Sequence, residues 1–204
     1  MKRIVVAFDL ETSGALPAKH EVLGIGASVI DQDFKELDRL FLPCYFPEKT
    51  TFERRCWVEF WSKQPDKLEL LVYKGRDTKE EREKEVIDIF QEFRRKWEAR
   101  AEGEGMEYYL ASDCGIFDGW FINALIQKHL PGDAPLPYTA LGKKFSLLCD
   151  VHCCLKGFLL ATDPSFSSSW GLSDRISELY SLPEPEKVHD HNPANDAYSI
   201  AYDL

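Results

Sequence analysis

Ile4-Val5-Val6-Ala7-Phe8-Asp9-Leu10-Glu11-Thr12-Ser13-Gly14 is an apolar run that ends in two carboxylates and a small hydroxylated turn. The unbroken run from Ile4 to Phe8 reads as a strand covered on both faces, because a strand with one wet face alternates polar and apolar positions. Carboxylates seldom stand at the end of a buried strand unless they are paired or hold a cation. Residues two apart on an extended chain point to the same side, so Asp9 and Glu11 converge and repel one another. A hard divalent ion with a preference for oxygen donors, Mg²⁺ or Mn²⁺, relieves that repulsion. The plainer reading is a strand running into a polar turn with Glu11 in solvent, and this stretch alone leaves both open.

Working outward, the strand over residues 3 to 9 is followed by Val22 to Ile30, β-branched and interrupted by Gly24 and Gly26, and then by Phe34 to Leu42. The short link Asp31, Gln32, Asp33 suits a hairpin, so the N-terminal third reads as a meander, closed by Pro43 and Pro47. Thr51 to Tyr73 turns helical, with Cys56 and Trp57 followed four residues later by Phe60 and Trp61, and with Pro65 opening a second short helix. Val86, Phe90, Phe93 and Trp97 form the apolar stripe of a helix over 78 to 101, with Thr78 as N-cap and Glu81 three residues on. A loop over Glu102 to Gly105 leads to a strand from Met106 to Ala111, a turn from Ser112 to Gly115, and a helix from Phe117 to Leu130. Pro131 to Pro137 is a linker, Phe145 to Val151 a fifth strand, and Thr162 to Trp170 a loop. Ser173 caps a helix ending near Tyr180, and Asn192 with Pro193 starts a last helix through Asp196 to Tyr202. Three strands, helices, then strand, helix, strand, helix describe an α/β fold with a five-stranded mixed sheet flanked by helices.

The 204 residues, 44% hydrophobic, suit one well-filled core, so residues 1–204 are expected to form a single domain. No run approaches the roughly 18 apolar residues of a membrane span, and the start turns acidic too early for a secretory signal. An intracellular protein, cytoplasmic or nuclear, with no membrane partner is the expectation. The six cysteines are scattered, which suits reduced thiols. Cys149, His152, Cys153 and Cys154 invite a zinc reading, but adjacent cysteines on a helix do not readily face one ion. A net charge of −10 argues against a broad electrostatic grip on duplex nucleic acid, which needs lysine and arginine against phosphate. Any nucleic-acid substrate has to be engaged locally, with bound cations providing the positive charge.

Two further carboxylates stand at helix starts: Asp118 in Ser-Asp-Cys-Gly-Ile-Phe-Asp (112 to 118) and Asp196 in His-Asn-Pro-Ala-Asn-Asp-Ala (191 to 197). Either alone is explained by the helix dipole, which favours an acid in the first turn. His191 lies five residues before Asp196 on a loop from which an imidazole can take a proton from water near neutral pH. His189 competes for that role.

Together with Phe-Asp-Leu-Glu-Thr-Ser-Gly (8 to 14), these segments resemble, in order and spacing, the three motifs of the DEDD exonuclease superfamily in its histidine-bearing, DnaQ-like branch. The resemblance spans almost the whole chain and implies a ribonuclease H-like fold. It further implies two divalent ions, Mg²⁺ or Mn²⁺: Asp9, Glu11 and Asp196 would hold one, Asp9 would bridge to a second, and Asp118 would hold the second largely through water. His191 would be the general base. The implied substrate is the 3′ end of single-stranded DNA or RNA, released as nucleoside 5′-monophosphates. Backbone from Leu10 through Thr12 to Ser13 would meet the terminal nucleotide, with Glu11 near its 3′-hydroxyl and Leu10 or a neighbour on the last base. Phe117, with Trp57, Trp61, Trp120 and Trp170, could stack on bases, Trp170 foremost. The second motif often carries Asn where Asp113 and Cys114 stand here. Two other classes compete: a phosphatase of the haloacid-dehalogenase type, suggested by Asp-Leu-Glu-Thr after a strand, and an inert nucleic-acid- or protein-binding module of the same fold.

Overall fold

The structure, a computed structural model, describes residues 2–133, 136, 148–163, 172–180 and 190–202. The expectations for residues 145–147, for residues 134, 135 and 137 of the linker, for the 164–170 loop with Trp170, and for His189 lie outside them. Three strands form the expected meander: β1 (Arg3–Thr12), β2 (Val22–Asp31) and β3 (Glu36–Pro43). At the hairpin Asp31 takes the amides of Asp33 and Lys35 on its side chain, and Phe34 adopts a positive φ of 59°. β4 (Glu107–Ser112) then pairs parallel to β1, and β5 (Leu148–Asp150) parallel to β4, giving the five-stranded order β3-β2-β1-β4-β5.

The first strand runs three residues beyond the expected end. Its pairing with β2 carries the two carboxylates and shifts register only between Glu11 and Thr12. The strand therefore takes in both carboxylates and Thr12, leaving the turn to begin at Ser13, and Asp9 and Glu11 are held on one side of the strand by its pairing with β2.

Helices cover both faces. Along α3 (Lys79–Glu104) the Thr78 hydroxyl accepts from the Glu81 amide while Glu81 accepts from the Thr78 amide, the reciprocal cap its sequence announced. This helix continues through the segment expected to be a loop and stops at Gly105, whose φ of 66° glycine alone adopts without steric cost. Val86, Ile87, Phe90 and Trp97 of α3 pack with Phe121, Ile122 and Ile126 of α4 (Gly115–His129) on the even-numbered side chains Ile4, Val6, Phe8 and Leu10 of β1. The opposite face of β1, with Val5 and Ala7, meets Val151 of α5 (Val151–Thr162) and Ile200 and Ala201 of α7 (Pro193–Tyr202). α6 (Leu172–Tyr180) lies between them in the chain, starting one residue before the expected cap. Between β3 and α3 the chain makes α1 (Arg54–Glu59), a 3₁₀ turn (Trp61–Lys63) and α2 (Pro65–Leu70), which opens on Pro65 as expected. Trp61, Leu68 and Leu71 of this segment pack with Leu23 and Tyr45 in a separate small core.

The interruptions of β2 by glycine have a packing cause. A Cβ at Gly26 would lie 1.9 Å from the carbonyl carbon of Pro193 and 2.1 Å from the amide nitrogen of Ala194. The first turn of α7 therefore rests directly on the β2 backbone, an approach only glycine permits. Gly26→Ala is expected to cost about 3 kcal/mol or more in urea unfolding, because backbone rather than a flexible side chain must yield. Gly103→Ala, in a helix with nothing near the added methyl, should instead stabilise by up to about 1 kcal/mol.

Candidate active site

The strand ends and helix starts described above converge at the C-terminal ends of the neighbouring strands β1 and β4. β1 supplies Asp9 and Glu11, the turn after β4 supplies Asp113, the first turn of α4 supplies Asp118, and α7 with its preceding turn supplies Asp196 and His191. Ligand atoms of Glu11, His191 and Asp196 all lie within 4.8 Å of one another, and so do those of Asp9, Asp113 and Asp118. Glu11, Asp118 and Asp196 are buried, while Asp9 and His191 are partly exposed. All five residues singled out for catalysis in the sequence are thus brought together. Asp113 is an additional carboxylate. It lies with Cys114 in the stretch where the resemblance leads one to expect Asn, and that departure was the available signal.

Each side chain is held locally. The Ser112 hydroxyl donates to Asp118 and accepts from the Cys114 amide at 3.2 Å, so the β4–α4 turn aims Asp118. Asp196 accepts the Asp190 amide at 3.1 Å. Asp190 in turn receives the Asn192 amide at 3.0 Å and the Asn195 amide group at 3.1 Å, and Asn192 caps α7 by accepting from Ala194 at 3.1 Å. His191 sits inside this knot with φ at 57°, a left-handed conformation that costs a non-glycine residue about 1–2 kcal/mol. Its Nδ1 stands 3.5 Å from Glu11 Oε1, and its ring meets that of Phe60 edge to face.

Beside the carboxylates lies a cavity of about 330 Å³ lined by Thr12, Gly14, Ala15, Arg55, Phe60 and Phe117 among others. Thr12 and Phe117, two of the residues expected to meet substrate, both line this cavity. The side chains of Leu10 and Ser13 do not. Leu10, one residue out of phase with Asp9 and Glu11, points into the main core. Ser13 is fully buried, donating to the Thr51 carbonyl and accepting from the Glu21 amide, each at 2.9 Å. Among the tryptophans, Trp61 is a core residue at 1% exposure, whereas Trp57 and Trp120 are exposed. The indole N–H of Trp61 donates to the Thr12 carbonyl at 2.9 Å, a positioning role that the helical spacing of this segment did not reveal.

The electrostatics favour a cation. Burial first, then the carboxylates of Asp118, Glu11, Asp113 and Asp196, push the Asp9 carboxyl well above the ordinary range. Burial and Asp113 push Asp118 up likewise, against the opposing Ser112 hydrogen bond. No basic side chain is among the causes of either shift. A donor set of carboxylate oxygens with one imidazole beside them fits a hard divalent ion.

The comparisons with known proteins agree with this geometry. No protein-family model matches the chain. The curated 3′-5′ DNA exonuclease Cap18 of Escherichia coli is 26% identical over 196 residues, which cover 96% of this chain and 87% of that protein. Product-bound exonuclease I superposes with a TM-score of 0.57 at 11% identity, covering 99% of this chain. A 3′-exonuclease solved with histone mRNA stem-loop superposes with a TM-score of 0.51 at 14% identity, covering 99% of this chain and 79% of its own. The chain spans 42% of the length of exonuclease I. Strand order, mixed pairing and these superpositions define a ribonuclease H-like fold. In sequence the chain is similar to a 3′–5′ DNA exonuclease, and in fold to two further exonucleases. The phosphatase alternative finds no support among these relatives.

A carboxyl whose folded pKa exceeds its unfolded value of about 3.9 binds more protons in the native state between the two values. Stability of the metal-free protein should therefore fall as pH rises from that lower value through the raised pKa values of Asp9 and Asp118. Asp9→Asn and Asp118→Asn are each expected to raise the melting temperature of the metal-free protein at neutral pH, and Mg²⁺ to stabilise the parent more than either variant. Calorimetry with and without chelator measures both effects.

Proposed function

We propose that this chain is a metal-dependent 3′–5′ exonuclease that removes nucleoside 5′-monophosphates from the 3′ end of single-stranded nucleic acid. The observation that carries the reading is the convergence, from three distant segments, of five carboxylates and one imidazole at the end of β1. Glu11 and Asp196 would hold one ion, Asp113 and Asp118 a second, with Asp9 between them. Two divalent ions there supply the charge that binds the scissile phosphate, activates water and stabilises the leaving 3′-oxygen.

The chain's own groups do the rest. His191, on its fixed turn, takes the proton of the attacking water. Glu11 lies within reach of that ring and orients it. Thr12, Gly14 and Phe117 line a cavity of a size for the terminal nucleoside, with Phe117 as an apolar wall for its base. The net charge of −10 restricts phosphate binding to the cation centre, which favours a short, local engagement of a strand end over a grip along a duplex. The names of the relatives, one a DNA exonuclease and another seen with an RNA stem-loop, leave both nucleic acids as candidate substrates.

Purified protein with 5′-labelled single-stranded DNA and RNA is expected to give ladders shortening from the 3′ end with Mg²⁺ or Mn²⁺ and none with chelator. Asp9→Ala should abolish the ladder. His191→Ala should lower kcat on the order of 10²- to 10⁴-fold while calorimetric Mn²⁺ binding is largely retained. Binding without cleavage at every metal concentration would favour the inert module. Acylphosphate trapped on Asp9 would favour a phosphatase.

A further inference from the structure

We propose that Phe60 is a positioning residue that ties occupation of the nucleoside cavity to the placement of the His191 imidazole. The inference rests on reading the site as an exonuclease centre and adds to it a residue outside all three sequence motifs. Phe60 forms part of the cavity wall together with Thr12 and Phe117. The Phe60 ring also meets that of His191, with centroids 4.6 Å apart and planes at 88°. One ring therefore touches both the space for the terminal nucleoside and the proposed base.

Its own position is fixed from behind. Trp61 packs edge to face on Phe60 at 4.8 Å and 83°, is buried in the small core with Leu23, Tyr45 and Leu71, and donates to the carbonyl of Thr12, next to Glu11. Further along the same segment, Lys67 of α2 reaches Asp190 at 4.0 Å, on the turn that carries His191. The insertion between β3 and α3 thus contacts the site at two places, the strand bearing Glu11 and the turn bearing His191, and Phe60 is its point of contact with the imidazole. A nucleoside seated against Phe60 limits the ring's freedom to tilt away from His191. An imidazole held on one side by Glu11 and on the other by Phe60 keeps the orientation that proton transfer requires.

The test uses the full chain and single-stranded oligonucleotides. Phe60→Leu, which keeps an apolar side chain but removes the ring, should lower kcat about tenfold or more with a smaller change in KM. Phe60→Tyr should restore the parent value. Phe60→Met gives the same reading if the leucine variant fails to fold. The ring Cε1–H signal of His191, assigned by its loss in His191→Ala, should move in Phe60→Leu and return in Phe60→Tyr, because an aromatic neighbour shifts it. A loss confined to KM, an unchanged kcat, or an unmoved His191 signal would reduce Phe60 to a cavity wall and overturn the proposal. A parent with no activity on DNA or RNA would refute the exonuclease reading instead.

Discussion

Mutual repulsion among carboxylates at the end of β1 is the constraint around which this molecule is arranged. Asp9 and Glu11 are fixed to one side of a strand by sheet pairing. Asp118 is aimed by Ser112, and Asp196 by the turn before α7. Each is placed by backbone geometry that leaves little freedom to retreat, so burial first and mutual repulsion second oppose ionisation in the folded state and push the Asp9 and Asp118 carboxyls up. Such a site costs stability in the absence of cations and gains affinity for them for the same reason. This is the bargain expected of a functional centre, where local strain persists because the surrounding fold over-determines it.

The rest of the architecture serves to deliver distant segments to that strand end. Parallel pairing of β4 beside β1 brings the start of α4, with Asp118, alongside Asp9. α7 reaches the opposite face only because Gly26 lets its first turn lie on the β2 backbone. The α1–α2 insertion completes the enclosure: Trp61 holds the strand bearing Glu11, while Phe60 and Lys67 touch the turn bearing His191. Charge and shape therefore divide the labour. The carboxylates set the chemistry, and an aromatic segment with its own small core sets the space in which a nucleoside fits.

Much of this was legible in the sequence where local rules act alone. The apolar run of β1, the hairpin at Asp31, the Thr78–Glu81 cap and the Asn192–Pro193 helix start each follow from a few neighbouring residues, and each is present. The four motif carboxylates and His191 were found because their order and spacing matched a family pattern, and their convergence follows from the parallel topology. What was hidden depends on contacts between segments far apart. For Leu10 the alternation of the strand, which puts it opposite Asp9 and Glu11, was already enough to turn its side chain into the core. For Ser13 nothing local tells, because the answer comes from its hydrogen bonds to Thr51 and Glu21. Trp61 and Phe60 share the helical spacing of core residues, and one of them is core, yet both touch groups at the site. Asp113 stood out only as a departure from a pattern, and its proximity to Asp9 and Asp118 needed coordinates.

The central claim is that this acidic cluster exists to hold a pair of divalent ions. Anomalous diffraction at the manganese edge from crystals soaked in Mn²⁺ with a nucleoside 5′-monophosphate tests it most directly. The account predicts two peaks, one between Glu11 and Asp196 and one between Asp113 and Asp118, with Asp9 touching both. Peaks elsewhere, or none at these side chains under saturating Mn²⁺, would contradict it.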